Sequence, residues 1–176
     1  HVTTGGGLKL YERSPVGYHV DAFGAVGDGA TNDYTALNTA RQAAEDDGVM
    51  LHLTSGKSYL SSSVLDITCR LEGHGASILG QVRLWGDNTG LENVNIISPT
   101  DVYGLFIYGQ SAARIANNYF KNSTISFSGG TAATRLAIQA QYCDDLVIEG
   151  NTIDYGINLV RCRNYRVESN IFDGNS

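Results

Sequence analysis

The feature that most constrains this chain is a six-residue unit that returns four times in its second half. The copies are Leu91-Glu-Asn-Val-Asn-Ile96, Ile115-Ala-Asn-Asn-Tyr-Phe120, Ile148-Glu-Gly-Asn-Thr-Ile153 and Val167-Glu-Ser-Asn-Ile-Phe172. Each begins and ends on an apolar residue, and the first positions stand 24, 33 and 19 residues apart. Asn118, Asn151 and Asn170 occupy one repeat position, while Cys143 and Cys162 each lie five residues before a unit begins. A β-rich repeat of this length with no helix in it excludes leucine-rich, ankyrin and tetratricopeptide arrays. It fits a coil of three short strands per turn, each turn adding one strand to each of three parallel sheets.

In such a coil successive turns stand ~4.8 Å apart, the distance between neighbouring strands. Asparagine suits left-handed backbone angles at the bends, and stacked amides bond one another, so the Asn column reads as structural. Cys143 and Cys162 become stacked interior thiols, small hydrophobes with no disulfide. The 33-residue turn exceeds the 19-residue turn by 14, an excess expected near Ser123–Arg135, where Ser-Gly-Gly-Thr-Ala-Ala-Thr interrupts the strands. Loops leaving a rigid coil make walls for a ligand groove.

Composition agrees with a folded, β-dominated chain. Of 176 residues, 42% are hydrophobic and 17% charged, which excludes disorder. Glycine is abundant at 21 but follows no three-residue period, which excludes collagen. No apolar run is long enough to span a bilayer, so no membrane insertion is expected. The net charge of −6 argues against nucleic acid. It leaves room for an acidic polysaccharide, because a local basic groove can coexist with a negative total. Three cysteines make no disulfide framework, and no CxxC or His/Cys cluster points to zinc; no metal and no cofactor are expected.

Residues 1–17 read as an arm or linker, 18–68 as a leading segment with one helix, and 69–176 as the turns of the coil. The helix spans Tyr34 to Asp47. Asn32 or Asp33 caps its start, and Gly48 suits the left-handed residue past its end. Ala36, Leu37, Ala40 and either Ala43 or Ala44 form a face of mostly small residues for close packing on something flat. Val49–Leu53 follows as a buried strand. His19, His52 and His74 are scattered through this part with no partner spacing and read as structural or surface residues.

Val20-Asp-Ala-Phe-Gly-Ala-Val-Gly-Asp-Gly-Ala-Thr-Asn-Asp33, the helix and Leu71-Glu-Gly-His-Gly75 resemble the start of the pectate-lyase-like parallel β-helix superfamily. That start occurs in phage tailspikes, capsule depolymerases, some polygalacturonases and alginate epimerases. The resemblance implies an all-β, right-handed parallel β-helix with a short N-terminal capping α-helix that hides the first sheet edge. It implies a domain that binds and cleaves a bacterial surface polysaccharide, as hydrolase or lyase. Its place would be virion or extracellular, and its assembly a homotrimer. Asp28, Asp33 and the glycines read as architectural. Two departures stand out: Leu53-Thr-Ser-Gly56 replaces the family's usual proline, and the chain ends at Asp173-Gly-Asn-Ser176 without a closing element, which suggests C-terminal truncation or cover by another chain. The alternatives are an adhesive virion appendage that does not cut glycan, and a bacterial lyase or epimerase.

Hydrolysis of a polysaccharide needs two carboxylates; elimination needs a base plus a cation to neutralise the substrate carboxylate. One position on adjacent turns supplies such a pair. Glu149 and Glu168 share one column and Asp154 and Asp173 another, and these four are the candidate catalytic residues. Two like charges so close raise one pKa unless cations such as Arg161, Arg163 or Arg166 screen them. Asp144 and Asp145, adjacent on a turn, are a weaker candidate pair. Trp85, Tyr155 and Arg161 are the candidate substrate-binding residues, with Tyr103, Tyr108, Tyr119 and Tyr142 as further flat faces for sugar rings.

Overall fold

The structure, a computed structural model, describes residues 17–99, 103–110, 112–128 and 136–173. The arm expected over 1–17 lies outside them apart from Gly17, which already pairs with Met50. Short strands build a parallel β-helix. The first sheet stacks Gly17–His19, Met50–His52, Arg70–Glu72, Gly90–Glu92, Tyr119–Lys121, Val147–Glu149 and Arg166–Glu168. The second stacks Asp28–Asn32, Ser58–Leu60, Ser77–Leu79, Asn95–Ser98, Thr124–Phe127, Thr152–Asp154 and Ile171–Asp173. The third stacks Leu65–Ile67, Val82–Leu84, Tyr103–Tyr108, Leu136–Gln141 and Ile157–Val160. A fourth, two-stranded strip pairs Ile115–Ala116 with Cys143–Asp144, and Asp144 bridges on to Arg163.

Strands this short have one or two inward residues each, so the core is a set of vertical columns. Leu51, Leu71, Leu91, Phe120, Ile148 and Val167 form one. Tyr59, Ile78, Ile96, Ile125, Ile153 and Phe172 form the second. Leu65, Val82, Leu105, Ile138 and Ile157 open the third sheet's pair of columns, with Ile67, Leu84, Ile107, Ala140 and Leu159 beside them. Members in the middle of the stack are fully buried, each contributing about 1.5–3 kcal/mol.

The register corrects one repeat copy. Phe120, not Ile115, stands over Leu91 and under Ile148, whereas Ile115 stands with Cys143. The turns therefore measure 29, 28 and 19 residues from Leu91 through Phe120 and Ile148 to Val167, in place of 24, 33 and 19. The cause is a five-residue period inside each turn. Ile115, Phe120 and Ile125 are all inward, as are Cys143, Ile148 and Ile153, so a slip of five matches apolar to apolar. The extra length is shared. One part lies between Ile125 and Ile138, around residues 129–135, which lie outside the described residues; another lies in the preceding turn, between Tyr108 and Ile115.

The polar column changes accordingly: Ser123, not Asn118, precedes Asn151 and Asn170. The Val94 N–H donates to Ser123 Oγ (3.1 Å), the Ser123 N–H to Asn151 Oδ1 (2.9 Å) and the Asn151 N–H to Asn170 Oδ1 (3.0 Å). Asn151 Nδ2 also donates to Asn170 Oδ1 at 2.9 Å. Asn118 belongs to another corner, where its Nδ2 donates to Thr89 Oγ1 (2.7 Å). The left-handed residues are the neighbours of these inward side chains: Asn122, Gly150 and Ser169 at one corner, Asn88, Asn117, Asp145 and Asn164 at another. An inward amide and a left-handed bend are thus successive residues, not one.

At the start, Tyr34–Asp46 is helical and buries Leu37, Ala40 and Ala44. Asn32 Oδ1 accepts the Tyr34 N–H (3.2 Å), whereas the Asp33 carboxylate turns back to the Val26 and Gly27 N–H groups (2.6 and 3.0 Å). Gly48 is left-handed at φ 63° past the helix end. Asp28 accepts the Ala30 and Thr31 N–H groups (2.9 and 2.7 Å), the latter bond chiefly holding its carboxyl below the usual range. Both aspartates therefore serve the architecture of the first turn.

Candidate functional site

The outer face of the third sheet differs in chemistry from the rest of the coil. Strand alternation turns Arg83, Phe106, Gln139 and Asn158 to the outer side in one column, where Gln139 is nonetheless buried, next to Trp85 and Tyr108 in the following one. Aromatic rings join into a band: Tyr103 to Phe106 at 5.7 Å between centroids, Phe106 to Tyr108 at 5.1 Å, Tyr108 to Trp85 at 5.3 Å. Trp85 is 39% exposed. The Arg83 guanidinium lies over it at 5.5 Å and is pinned by two bonds to Asp66 (2.6 and 2.7 Å), which raise its pKa. Further along, Asn158 Nδ2 donates to Gln139 Oε1 at 2.9 Å. Flat rings beside the half-buried Asn158 amide and a fixed guanidinium are a set of groups that stacks on and hydrogen-bonds to hydroxyl-rich rings.

The band runs into a corner where the chain leaves the third sheet. Trp85, Tyr108 and Arg114 line a groove of about 260 Å³. Arg114 also lines the adjoining depression of about 400 Å³, with Tyr142, Arg161, Cys162 and Arg163. Arg114 donates twice to Asp144 (2.7 Å each), which holds the Asp144 carboxyl below its ordinary range. Arg161 bonds the Tyr142 hydroxyl (2.9 Å) and lies over that ring at 5.5 Å. Cys143 and Cys162 are stacked free thiols as expected; their contact and burial push the Cys143 pKa up.

Among the predicted substrate-binding residues, Trp85 lies in the band and Arg161 in the adjoining corner. Tyr155 is apart, at the bend between second and third sheets, with its ring edge-on to Phe127 at 5.6 Å. Arg83, Phe106 and Arg114 were not singled out from the sequence. The third sheet lies outside the six-residue unit, so the repeat does not encode its register; the alternation Leu105-Phe-Ile-Tyr108 is the sequence signal that places Phe106 outward.

Both predicted acidic pairs are vertical neighbours: Glu149 over Glu168 and Asp154 over Asp173. The glutamates continue an outward column of the first sheet that runs His52, Glu72, Glu92, Lys121, Glu149, Glu168. Arg166 reaches both, at 2.9 Å from Glu149 and 3.2 Å from Glu168, and Lys121 Nζ stands 3.9 Å from Glu149. The aspartates close the second sheet, and Asp154 leads through Tyr155 and Gly156 into the third. Asp144 is the partner of Arg114, and Asp145 is a left-handed bend residue.

The histidines are a correction. His19, His52 and His74 are stacked on consecutive turns with centroids 5.2 and 5.3 Å apart, and His52 Nδ1 lies 3.1 Å from His74 Nε2. Their spacing of 33 and 22 residues concealed this because the helix sits inside the first interval. Among the described residues no group of three or more His, Cys, Asp or Glu is placed to hold a metal ion. A depression of about 560 Å³ beside the helix end includes Glu45, whose carboxylate is engaged by Arg41 and Thr68 at 2.7 Å each.

The sequence matches no protein-family model and no curated protein. Solved structures do match. The A-module of an Azotobacter vinelandii mannuronan C-5 epimerase superposes with a TM-score of 0.62 at 20% identity, over 87% of this chain and 51% of that one. The Dettilon tailspike protein gives 0.57 at 14% identity, over 88% and 39%. A candidate glycosyl hydrolase from Parabacteroides merdae gives 0.57 at 14%, over 89% and 96%. These likenesses establish the fold; the chain spans about half of the epimerase module.

Proposed function

We propose that this chain is a polysaccharide-binding β-helix domain that lays a glycan along the outer face of the third sheet. The observation that carries the reading is the continuous band Tyr103–Phe106–Tyr108–Trp85 with Arg83 fixed over its end. A row of rings on a rigid strand scaffold, half open to water, is preorganised for successive sugar faces. The epimerase and tailspike named above share the scaffold, which supports the same class of partner. On this reading the glycan is a bacterial surface polysaccharide and the site belongs to a tailspike-like, trimeric virion or extracellular protein.

Cleavage would draw on Asp154 and Asp173 in preference to Glu149 and Glu168, because the aspartate pair leads into the third sheet, whereas Arg166 ties the two glutamates together on the first. The test is affinity electrophoresis of the protein against capsular polysaccharides and lipopolysaccharides, with chain length followed by gel filtration. Retardation by at least one glycan, weakened at least tenfold in Trp85→Ala/Phe106→Ala, is expected. Loss of any shortening in Asp154→Asn assigns cleavage, and new ultraviolet absorbance marks elimination. Unchanged binding by the aromatic double variant, or no binding to any glycan, overturns the proposal.

A further inference from the structure

We infer that the corner lined by Arg114, Arg161 and Arg163 binds an anionic substituent, a carboxylate, sulfate or phosphate ester, on the glycan held by the aromatic band. The inference rests on the proposed glycan platform and names the chemical class of its ligand.

The depression there holds about 400 Å³ and is lined by three arginines, Tyr142 and Cys162, with no carboxylate lining it among the described residues. The chain as a whole carries 12 basic against 18 acidic residues, so this local excess of cations runs against the composition. The acids near it are Asp144, taken up by both bonds from Arg114 and also near enough to Arg163 to be held lower by its charge, and Asp145 on the next bend. Arg114 is therefore charge-compensated, and its second role is to hold the wall, since it also donates to the Arg161 carbonyl at 2.9 Å.

Arg161 and Arg163 present the cations. Arg161 sits at a left-handed bend, φ 54°, and its guanidinium is braced against the Tyr142 ring and hydroxyl, neither of which carries a compensating charge. The Arg163 backbone is clamped on both sides, its N–H donating to the Cys143 carbonyl (2.9 Å) and its carbonyl accepting from Asp145 (3.1 Å). A guanidinium held by stacking loses little freedom when it takes an oxyanion in a forked pair of bonds. Arg114 lines this depression and the Trp85–Tyr108 groove alike. A chain stacked on the band thus reaches the arginines within about three strand spacings, some 14 Å. A neutral glycan would have no use for this corner.

The experiment compares four acidic polymers, polygalacturonate, hyaluronan, dextran sulfate and dextran phosphate, with their neutral reduced forms, carboxyl-reduced for the first two and unsubstituted dextran for the others, by affinity electrophoresis. The parent is expected to bind at least one acidic polymer about tenfold more tightly than its reduced form. Arg161→Asn/Arg163→Gln, in which Asn tolerates the left-handed bend, is expected to abolish that preference with unchanged thermal unfolding. Trp85→Ala is expected to weaken both forms alike. Equal binding of acidic and reduced polymers, or a preference that survives in the double arginine variant, overturns the inference and leaves the glycan platform standing. Failure to bind any acidic polymer also overturns it; the platform falls as well only if neutral polymers and bacterial surface glycans are not bound either.

Discussion

Two faces of one coil, built on the same spacing, carry opposite chemistry. The first sheet's outward column is ionic: Glu72, Glu92, Lys121, Glu149 and Glu168 stand in line, and Arg166 closes its lower end. The third sheet's outward face is aromatic and amidic, with one arginine lying over a ring. Identical spacing therefore does not make identical sites. In-register stacking brings like residues together at about 4.8 Å; what decides the use of a column is whether neighbours inside the protein already satisfy it. Arg166 between two glutamates satisfies them, whereas a row of half-buried rings ending on the exposed Trp85 is left for something outside.

The strongest way to break the comparison is to disturb the scaffold both faces share. Asn151 accepts the Ser123 N–H and donates to the Phe120 carbonyl and to Asn170, all within 2.9 Å. Asn151→Ala leaves a buried donor and a buried acceptor unsatisfied, an expected cost of about 2–4 kcal/mol and roughly 5–15 °C in Tm. Asn118→Ala should cost about half as much, since Asn118 Oδ1 has no protein partner to lose. Thermal unfolding by circular dichroism checks both; equal losses would mean that the Asn151 ladder is not what ties the turns together.

A sharper comparison sets the two arginines against each other. Arg83→Ala removes the cation over Trp85 and is expected to weaken glycan binding about fivefold, in keeping with a partly exposed cation–π contact. Arg166→Ala, on the ionic face, is expected to leave binding unchanged and to cost less than about 1 kcal/mol, because all three partners are substantially exposed. Isothermal titration of the two variants against one glycan separates the faces. Loss of affinity in Arg166→Ala alone would exchange their roles.

The sequence disclosed the coil more completely than the site, for a physical reason. Interior positions are selected by burial alone, so Leu91, Ile148 and Val167 repeat recognisably, as do Cys143 and Cys162. The same narrow chemistry blurred the register: inward residues recur every five, and Ile115 could stand in for Phe120. Outward residues carry no such constraint. Arg83, Phe106 and Gln139 share a column without sharing a chemistry, so no pattern in the sequence links them. The histidine stack was hidden by the helix inserted between His19 and His52. The acidic pairs were legible as neighbours, but the position of Arg166 between Glu149 and Glu168 depends on a side-chain direction that spacing does not encode.

The smallest expected effect bears most directly on that last point. Glu149→Gln and Glu168→Gln each remove one anion from a pair that shares Arg166. Either substitution leaves the arginine one carboxylate, so each is expected to change stability by no more than about 0.5 kcal/mol and glycan affinity by less than twofold. The double variant strands Arg166, whose side chain is 52% exposed and so remains hydrated at little cost. A catalytic pair behaves otherwise. Removing a general acid or its partner base lowers turnover by about a hundredfold or more while binding persists. Chain-length analysis of a bound glycan with the parent and both single variants therefore decides the matter. Shortening that survives in both keeps the ionic column as scaffold, and shortening lost in either makes the first sheet, not the second-sheet aspartates beside the third, the reactive face.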